Sequence, residues 1–207
     1  MPAKNADLHG SAPEKAEVAF LLINVINDLD FENADAMLPA ALAMADRIGE
    51  LKTRAKAAKV PVIYVNDNFG RWQSNLQKLV DHAMEPESRG RPLVERLRPD
   101  EDDYFVLKPK HSGFFSTSLD ILLDYLQVET LILTGIASNI CVLFTANDAY
   151  MRDFNVVVPS DCVAANTEQL NREALEQIAQ VLKADVRPSA ELTFPLTPHS
   201  TRPHPTG

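Results

Sequence analysis

The chain has 207 residues, enough for one α/β domain with a sizeable core, and its 45% hydrophobic and 24% charged residues are ordinary for a globular protein. Its net charge of −9, with no cluster of lysine and arginine, argues against a protein that binds nucleic acid or an anionic membrane. No apolar run approaches membrane-spanning length and the N-terminus lacks a signal-peptide core, so we expect a cytoplasmic protein.

Short apolar runs that alternate with helical patterns predict a succession of strands and helices. The first run, 18–25, is almost continuous apolar sequence, which is typical of a buried central strand in a parallel sheet. Five further strands are expected at 62–65, 104–107, 131–134, 155–158 and 185–187. Apolar residues at helical spacing predict helices over 38–59, 76–84, 117–126, 140–149 and 168–183.

This alternation indicates an α/β fold, with a six-stranded parallel sheet flanked by helices on both faces in a Rossmann-like three-layer α/β/α arrangement. We expect the domain to span 17–194, between a flexible arm at 1–16 and a flexible, proline-rich tail at 195–207. The polar segment 85–92 is expected to be a mobile loop.

Polar residues lie at or just beyond the carboxyl ends of four of the predicted strands, where folds of this kind bind ligands. They are Asn24, the segment 66–72, Lys108 and Cys141. Lys108 ends its strand directly before a proline. It is either a solvated lysine at the sheet edge or a cation that stabilises a neighbouring nucleophile.

Cys141 follows a tight turn of small residues, 136–139, and lies in the first turn of a predicted helix. Free N–H groups and the helix dipole favour an anion there, so we expect a lowered thiol pKa and a reactive thiolate. The same N–H groups are suited to hold an oxyanion. Position alone leaves open that Cys141 is a small apolar core residue, as we expect of Cys162. The two cysteines form neither a disulfide framework nor a metal-binding pattern, and they fit a reducing compartment.

Four segments together resemble the isochorismatase-like cysteine hydrolases, over about residues 18–187. The segments are LLINVINDL at 21–29, LKPKHSGF at 107–114, TGIASNICVLFTANDA at 134–149 and VVVPSDC at 156–162. The resemblance implies a six-stranded parallel sheet that carries an Asp–Lys–Cys triad. It also implies that the cysteine attacks an amide or related carbonyl carbon and forms a thioester, which water then hydrolyses.

Carried onto this sequence, the resemblance implies that Cys141 is the nucleophile and Lys108 the cation beside it. It further implies a cis peptide bond between Ile136 and Ala137, which would turn the backbone N–H groups of Ala137 and Cys141 toward the substrate oxygen. In the family pattern an aspartate accepts the thiol proton and passes it to the leaving amine.

The position of that aspartate is occupied by Asn24, and an amide has no proton-accepting state near neutral pH. Three explanations are open: an engineered substitution that traps substrate, a slow enzyme that uses another group such as Asp28, or a binding module without turnover. For Asp28, a role in the loop that follows the strand is the better interpretation.

Metal-binding relatives, the nicotinamidases, carry one aspartate and two histidines after the second strand. This sequence has Asp67 but no histidine in the loop 66–72, so we expect no catalytic metal and no cofactor. The expected lining of the substrate pocket is Phe69, Trp72, Ser138 and His111. Each has a structural alternative, namely burial against a helix for the aromatic residues, a helix cap for Ser138 and a loop position for His111.

The sequence therefore predicts a cysteine-dependent hydrolase of a C–N bond in a small amide, carbamoyl or ureido compound. A catalytically silent protein that binds a small molecule, and a vinyl-ether hydrolase acting on isochorismate, are the alternatives. The expected partners are a small-molecule substrate and further copies of the chain in a homodimer or homotetramer, without nucleic acid or membrane.

Overall fold

The computed structural model describes residues 15–32, 34–70 and 74–196. Six parallel strands form one sheet, and their bounds are β1 Val18–Ile23, β2 Val62–Asp67, β3 Tyr104–Lys108, β4 Thr130–Ile136, β5 Asn155–Val157 and β6 Val163–Ala164. The helices are α1 Ala34–Ala57, α2 Leu76–Ala83, α3 Arg91–Arg96, α4 Leu119–Leu126, α5 Leu143–Met151 and α6 Glu168–Leu182. A π-helical turn, Ser138–Val142, precedes α5, and a short 3₁₀ turn follows α6 at Ser189–Glu191.

The sheet has the order β3-β2-β1-β4-β5, and β6 pairs with the C-terminal part of β4. Side chains of β1 alternate between two cores. Phe20 and Leu22 face α1, α2 and α3, while Leu21 and Ile23 face α4, α5 and α6. The predicted six-stranded parallel sheet with helices on both faces is therefore confirmed. None of the helices in the described ranges is both long enough and apolar enough to cross a membrane.

The predicted position of the sixth strand is wrong. Residues 185–187 contribute a single bridge, between Asp185 and Val157, and the sixth strand is instead β6. Asp185 binds the backbone N–H and the guanidinium of Arg187, and Pro188 has no N–H to donate, so this segment leaves the sheet after one bridge.

Helix α3 was not predicted, and several predicted helices have other bounds, with Cys141 in the π-helical turn Ser138–Val142 rather than in the first turn of α5. The loop predicted at 85–92 ends in α3, whose first turn contains Pro92, a position that tolerates proline because its N–H would be unpaired there. Helix α1 begins at Ala34, before the predicted start, and Pro39 lies inside it. Most of the arm and tail, residues 1–14 and 197–207, lies outside the described residues, and the domain bounds stay predictions.

Gly135, near the end of β4, lies against β1 so closely that only glycine fits. Its φ is +110°, and a Cβ there would meet the carbonyl oxygen of Ile23 at 2.0 Å. This contact brings the ends of the two central strands together directly before the turn that leads to Cys141.

We expect Gly135→Ala to lower the free energy of unfolding by about 2 kcal/mol or more, because it adds backbone strain and a clash between strands. Gly49→Ala is the matched control. Gly49 lies within α1, where the nearest atom to an added Cβ is 4.0 Å away, so this change should stabilise the protein by about 0.5–1 kcal/mol. Urea unfolding followed by circular dichroism measures both. Equal effects of the two substitutions would contradict this account of Gly135.

Candidate active site

The candidate site lies at the carboxyl edge of the sheet, where the order of the strands reverses. The chain proceeds from β1 to β2 and β3 on one side and then returns to place β4 on the other side of β1. Crevices form at such switch points because consecutive connections leave on opposite faces of the sheet. Asn24 follows β1 here, Asp67 and Lys108 end β2 and β3, and Cys141 lies just beyond β4.

Lys108 is completely buried, and its ammonium group joins two parts of the site. Its Nζ lies 3.3 Å from Asp67 Oδ2 and 3.5 Å from Cys141 Sγ, and it donates to the carbonyl oxygen of Lys110 at 3.1 Å. Asp67 and Lys108 are register partners across β2 and β3. A buried ammonium is costly unless it is paired, so Asp67 is the counterion that permits this burial. Lys108 is thus not a solvated lysine at the sheet edge.

Cys141 lies in the π-helical turn and is 6% exposed. Two side chains donate toward its sulfur, Lys108 Nζ and Asn24 Nδ2, the latter at 3.2 Å. Burial nevertheless raises the pKa of the Cys141 thiol, and the attraction of Lys108 and the N–H of Ala137 only partly oppose this. The predicted lowering of that pKa is therefore wrong, because the sequence argument counted the helix terminus and the cation but not the desolvation of the thiolate.

The side-chain amide of Asn24 has a defined orientation. Its Oδ1 accepts the backbone N–H of Asp67 at 2.8 Å, so its NH₂ group faces the sulfur. Asn24 has a φ of +53°, in the left-handed region that asparagine and aspartate tolerate better than most residues. An NH₂ group donates hydrogen bonds and does not accept the thiol proton.

The turn before Cys141 has the geometry that the resemblance implies at Ile136 and Ala137. The peptide bond between them is cis. Ser138, predicted to line the pocket, is completely buried, and its Oγ has no hydrogen-bond partner among the described residues.

The other predicted pocket residues lie at the surface or outside the described part of the chain. Phe69 is 45% exposed, and its backbone N–H donates to Asp67 Oδ1 at 2.8 Å. The exposed ring of His111 lies 5.4 Å from the ring of Phe144. Trp72 lies outside the described residues. The roles of these residues in a pocket stay predictions.

Asp67 is the site residue that the sequence argument missed, because it was considered only as a metal ligand. The sequence did contain a signal for this pairing, because two neighbouring parallel strands end in an aspartate and a lysine.

Asp28, by contrast, accepts from the N–H of Asp30 and contacts Nε2 of His82 at 3.0 Å. It therefore serves the loop after β1, as expected. Asp161 is likewise structural, since it holds the backbone and hydroxyl of Ser189.

One cluster of carboxylates within the described ranges has the spacing of a cation site. It is far from Cys141 in sequence, and none of its hydrogen bonds or ion pairs in that part of the chain involves Cys141. It consists of Asp100, Asp102 and Asp103. Lys52 and Lys56 already pair with these carboxylates, at distances down to 2.6 Å. The cluster is thus explained as an ion-pair network that joins α1 to the loop before β3.

Comparison with known proteins gives a consistent set of relatives. Residues 18–190 match the family model of the isochorismatase domain. The uncharacterized isochorismatase family protein YaaI of Bacillus subtilis is 39% identical over 172 residues, which cover 83% of this chain and 94% of YaaI.

Two further relatives carry names that state an activity. The ureidoacrylate amidohydrolase RutB of Acinetobacter baylyi is 28% identical over 65% of this chain and 64% of RutB, so the chain spans less than two thirds of that protein. The crystal structure of N-carbamoylsarcosine amidase from Thermoplasma acidophilum matches with a TM-score of 0.67 and 25% identity, covering 86% of this chain and 99% of the amidase.

We expect iodoacetamide labelling of Cys141 to reach half its maximal rate above the pH of about 8.5 that is typical of a free thiol, because burial raises the pKa of Cys141. Asn24→Asp places a negative oxygen where an N–H donor faces the sulfur, which disfavours the thiolate. It should move the labelling profile to higher pH by about one unit or more.

Site-resolved mass spectrometry across pH measures both profiles. Cys162 is an internal control, since it is completely buried and its pKa is also raised, so it should stay unlabelled while the protein is folded. Faster labelling of Cys141 in the Asn24→Asp variant at a given pH would contradict the assigned orientation of the amide.

Proposed function

The chain belongs to the isochorismatase family, and on that premise we propose that it is a cysteine-dependent hydrolase that cleaves a C–N bond of a small amide, carbamoyl or ureido compound. The observation that carries the proposal is the position of Cys141 Sγ at the switch point, where Lys108 Nζ lies 3.5 Å and Asn24 Nδ2 lies 3.2 Å from the sulfur. A sulfur that receives two donors is suited to bear negative charge, as a nucleophile must during attack.

In the proposed reaction, Cys141 Sγ attacks the carbonyl carbon of the substrate and the nitrogen group leaves. The resulting thioester is then hydrolysed by water. The backbone N–H groups of Ala137 and Cys141 are the proposed donors to the oxyanion, because Ala137 directly precedes the π-helical turn and Cys141 lies within it. Lys108 stabilises the developing negative charge from inside the protein, where a fixed cation acts more strongly than in water.

The names of two relatives, an amidohydrolase and an amidase, support an amide-type C–N bond as the target. Vinyl-ether hydrolysis requires an acid at the reacting atom rather than a sulfur that accepts hydrogen bonds, so the donors around Cys141 argue against it. A homodimer or homotetramer and a cytoplasmic location remain parts of the proposal.

A catalytically silent binding protein is the second candidate, and one observation favours it. The NH₂ group of Asn24 occupies the place next to the sulfur where the family pattern has a carboxylate. A protein of this kind would bind a small amide at the switch point without acylation of Cys141.

A panel of ureido, carbamoyl and simple carboxamide compounds tests the proposal through ammonia release and intact-protein mass spectrometry. We expect turnover of at least one compound and an acyl adduct on Cys141, both abolished by Cys141→Ala, with a loss of about 10³-fold or more. Cys162→Ala is the matched control and should retain turnover, because this second buried cysteine contacts Asp161 and Ser189 rather than the site.

Binding of a panel compound, measured by calorimetry, with neither ammonia release nor an adduct on Cys141 would contradict the hydrolase and support the binding protein.

A further inference from the structure

The site described above lacks an obvious destination for the thiol proton. Burial raises the pKa of the Cys141 thiol and so favours its protonated form; attack on a carbonyl must release that proton, and the departing nitrogen must then gain one. The residue that has this role in the family pattern is replaced by Asn24, whose NH₂ group faces the sulfur. A hydrolase built on this chain therefore needs a different proton acceptor.

Asp67 is the carboxylate that the structure connects to the sulfur. Its Oδ2 lies 3.3 Å from Lys108 Nζ, and the same Nζ lies 3.5 Å from Cys141 Sγ, so one ammonium group bridges the two. The other oxygen, Oδ1, is fixed by the N–H of Phe69 at 2.8 Å. The Asp67 side chain is 24% exposed whereas that of Lys108 is 0%, so Asp67 is the member of the pair that solvent reaches.

The other acidic residues near the strand ends are engaged elsewhere. Asp28 contacts His82 across the loop after β1. Asp148 accepts the hydroxyl of Ser112 and pairs with Arg152 at 3.2 Å. Neither contacts Lys108, Asn24 or Cys141 among the hydrogen bonds of the described residues.

We propose that Asp67, through Lys108, accepts the proton of the Cys141 thiol and delivers it to the leaving nitrogen, replacing the carboxylate that the family pattern places at position 24. This inference rests on the proposed function. It assigns Asn24 a separate positioning role, since its Oδ1 holds the backbone N–H of Asp67 while its NH₂ group donates to the sulfur.

In the first step the S–H bond of Cys141 breaks, and its proton passes to Lys108 while Lys108 gives one of its own protons to Asp67 Oδ2. The sulfur electron pair forms the S–C bond, and the π electron pair of the carbonyl moves to its oxygen. When the carbonyl re-forms, the C–N bond breaks and the nitrogen takes the proton from Asp67. Water then attacks the thioester, giving one proton to Asp67, and that proton returns through Lys108 to the departing sulfur.

The decisive variant is Asp67→Asn, measured for both turnover and iodoacetamide labelling of Cys141. Turnover should fall by about 10²–10⁴-fold, the usual contribution of general acid–base catalysis. Labelling at neutral pH should instead become faster, by about threefold or more, because Lys108 loses its carboxylate counterion and then favours the thiolate. A merely structural role for Asp67 would loosen the fold and expose both buried cysteines, so faster labelling of Cys141 while Cys162 stays unlabelled separates the two roles.

A double variant shifts the carboxylate from position 67 to position 24 and leaves the number of carboxylates at the site unchanged. Asn24→Asp in the Asp67→Asn background should recover turnover at least about tenfold over Asp67→Asn alone, since a carboxylate again lies next to the sulfur. Asp28→Asn is the matched control and should retain turnover within about threefold, because that aspartate binds His82 instead.

Each outcome is decisive. Unchanged turnover in Asp67→Asn, or lost turnover with slower labelling of Cys141 or new labelling of Cys162, overturns the role of Asp67 while the hydrolase stands. If Asp28→Asn loses turnover and Asp67→Asn does not, Asp28 is the proton acceptor instead of Asp67. If the wild-type protein is inactive and its Asn24→Asp variant is active, Asp67 does not act as the base. Inactivity of both proteins on every panel compound overturns the proposed function, and this inference with it.

Discussion

The candidate site depends on one buried ion pair, between the Lys108 ammonium and the Asp67 carboxylate. Lys108 has no solvent exposure, and a charge removed from water in this way destabilises the fold unless an opposite charge lies close to it. The parallel register of β2 and β3 places the two residues opposite each other at the ends of their strands. The pair thus belongs to the architecture of the sheet, and Cys141 is placed next to it from the other side of β1.

This arrangement explains why the site is assembled from four chain segments that are distant in sequence. Each strand contributes one polar residue at its carboxyl end, and the reversal of strand order at β1 opens the space between them. The side chain of Asn66 strengthens the same edge, because it donates to the carbonyl of Ile26 at 2.6 Å and accepts the N–H of that residue at 3.3 Å. The loop after β1 is thereby fastened to the end of β2.

The sequence was sufficient for the fold class and for the convergence of Asn24, Lys108 and Cys141, since apolar periodicity predicts the strands and parallel strands end at a common edge. It was insufficient for β6, a strand of two residues that depends on pairing with β4 rather than on its own composition. It was also insufficient for the pKa of Cys141, because desolvation is set by the surrounding packing and not by the helix terminus. The partnership of Asp67 with Lys108 required the register of two strands, and β2 in fact extends to Asp67, two residues beyond its predicted end.

The surroundings of Asn24 have an evolutionary consequence. Its left-handed backbone accepts aspartate as readily as asparagine, and a carboxylate oxygen would accept the N–H of Asp67 just as the amide oxygen does. Asparagine and aspartate codons differ by a single base at the first position. The gene therefore lies one point mutation from the carboxylate of the family pattern, and the hydrogen bond to Asp67 would be kept.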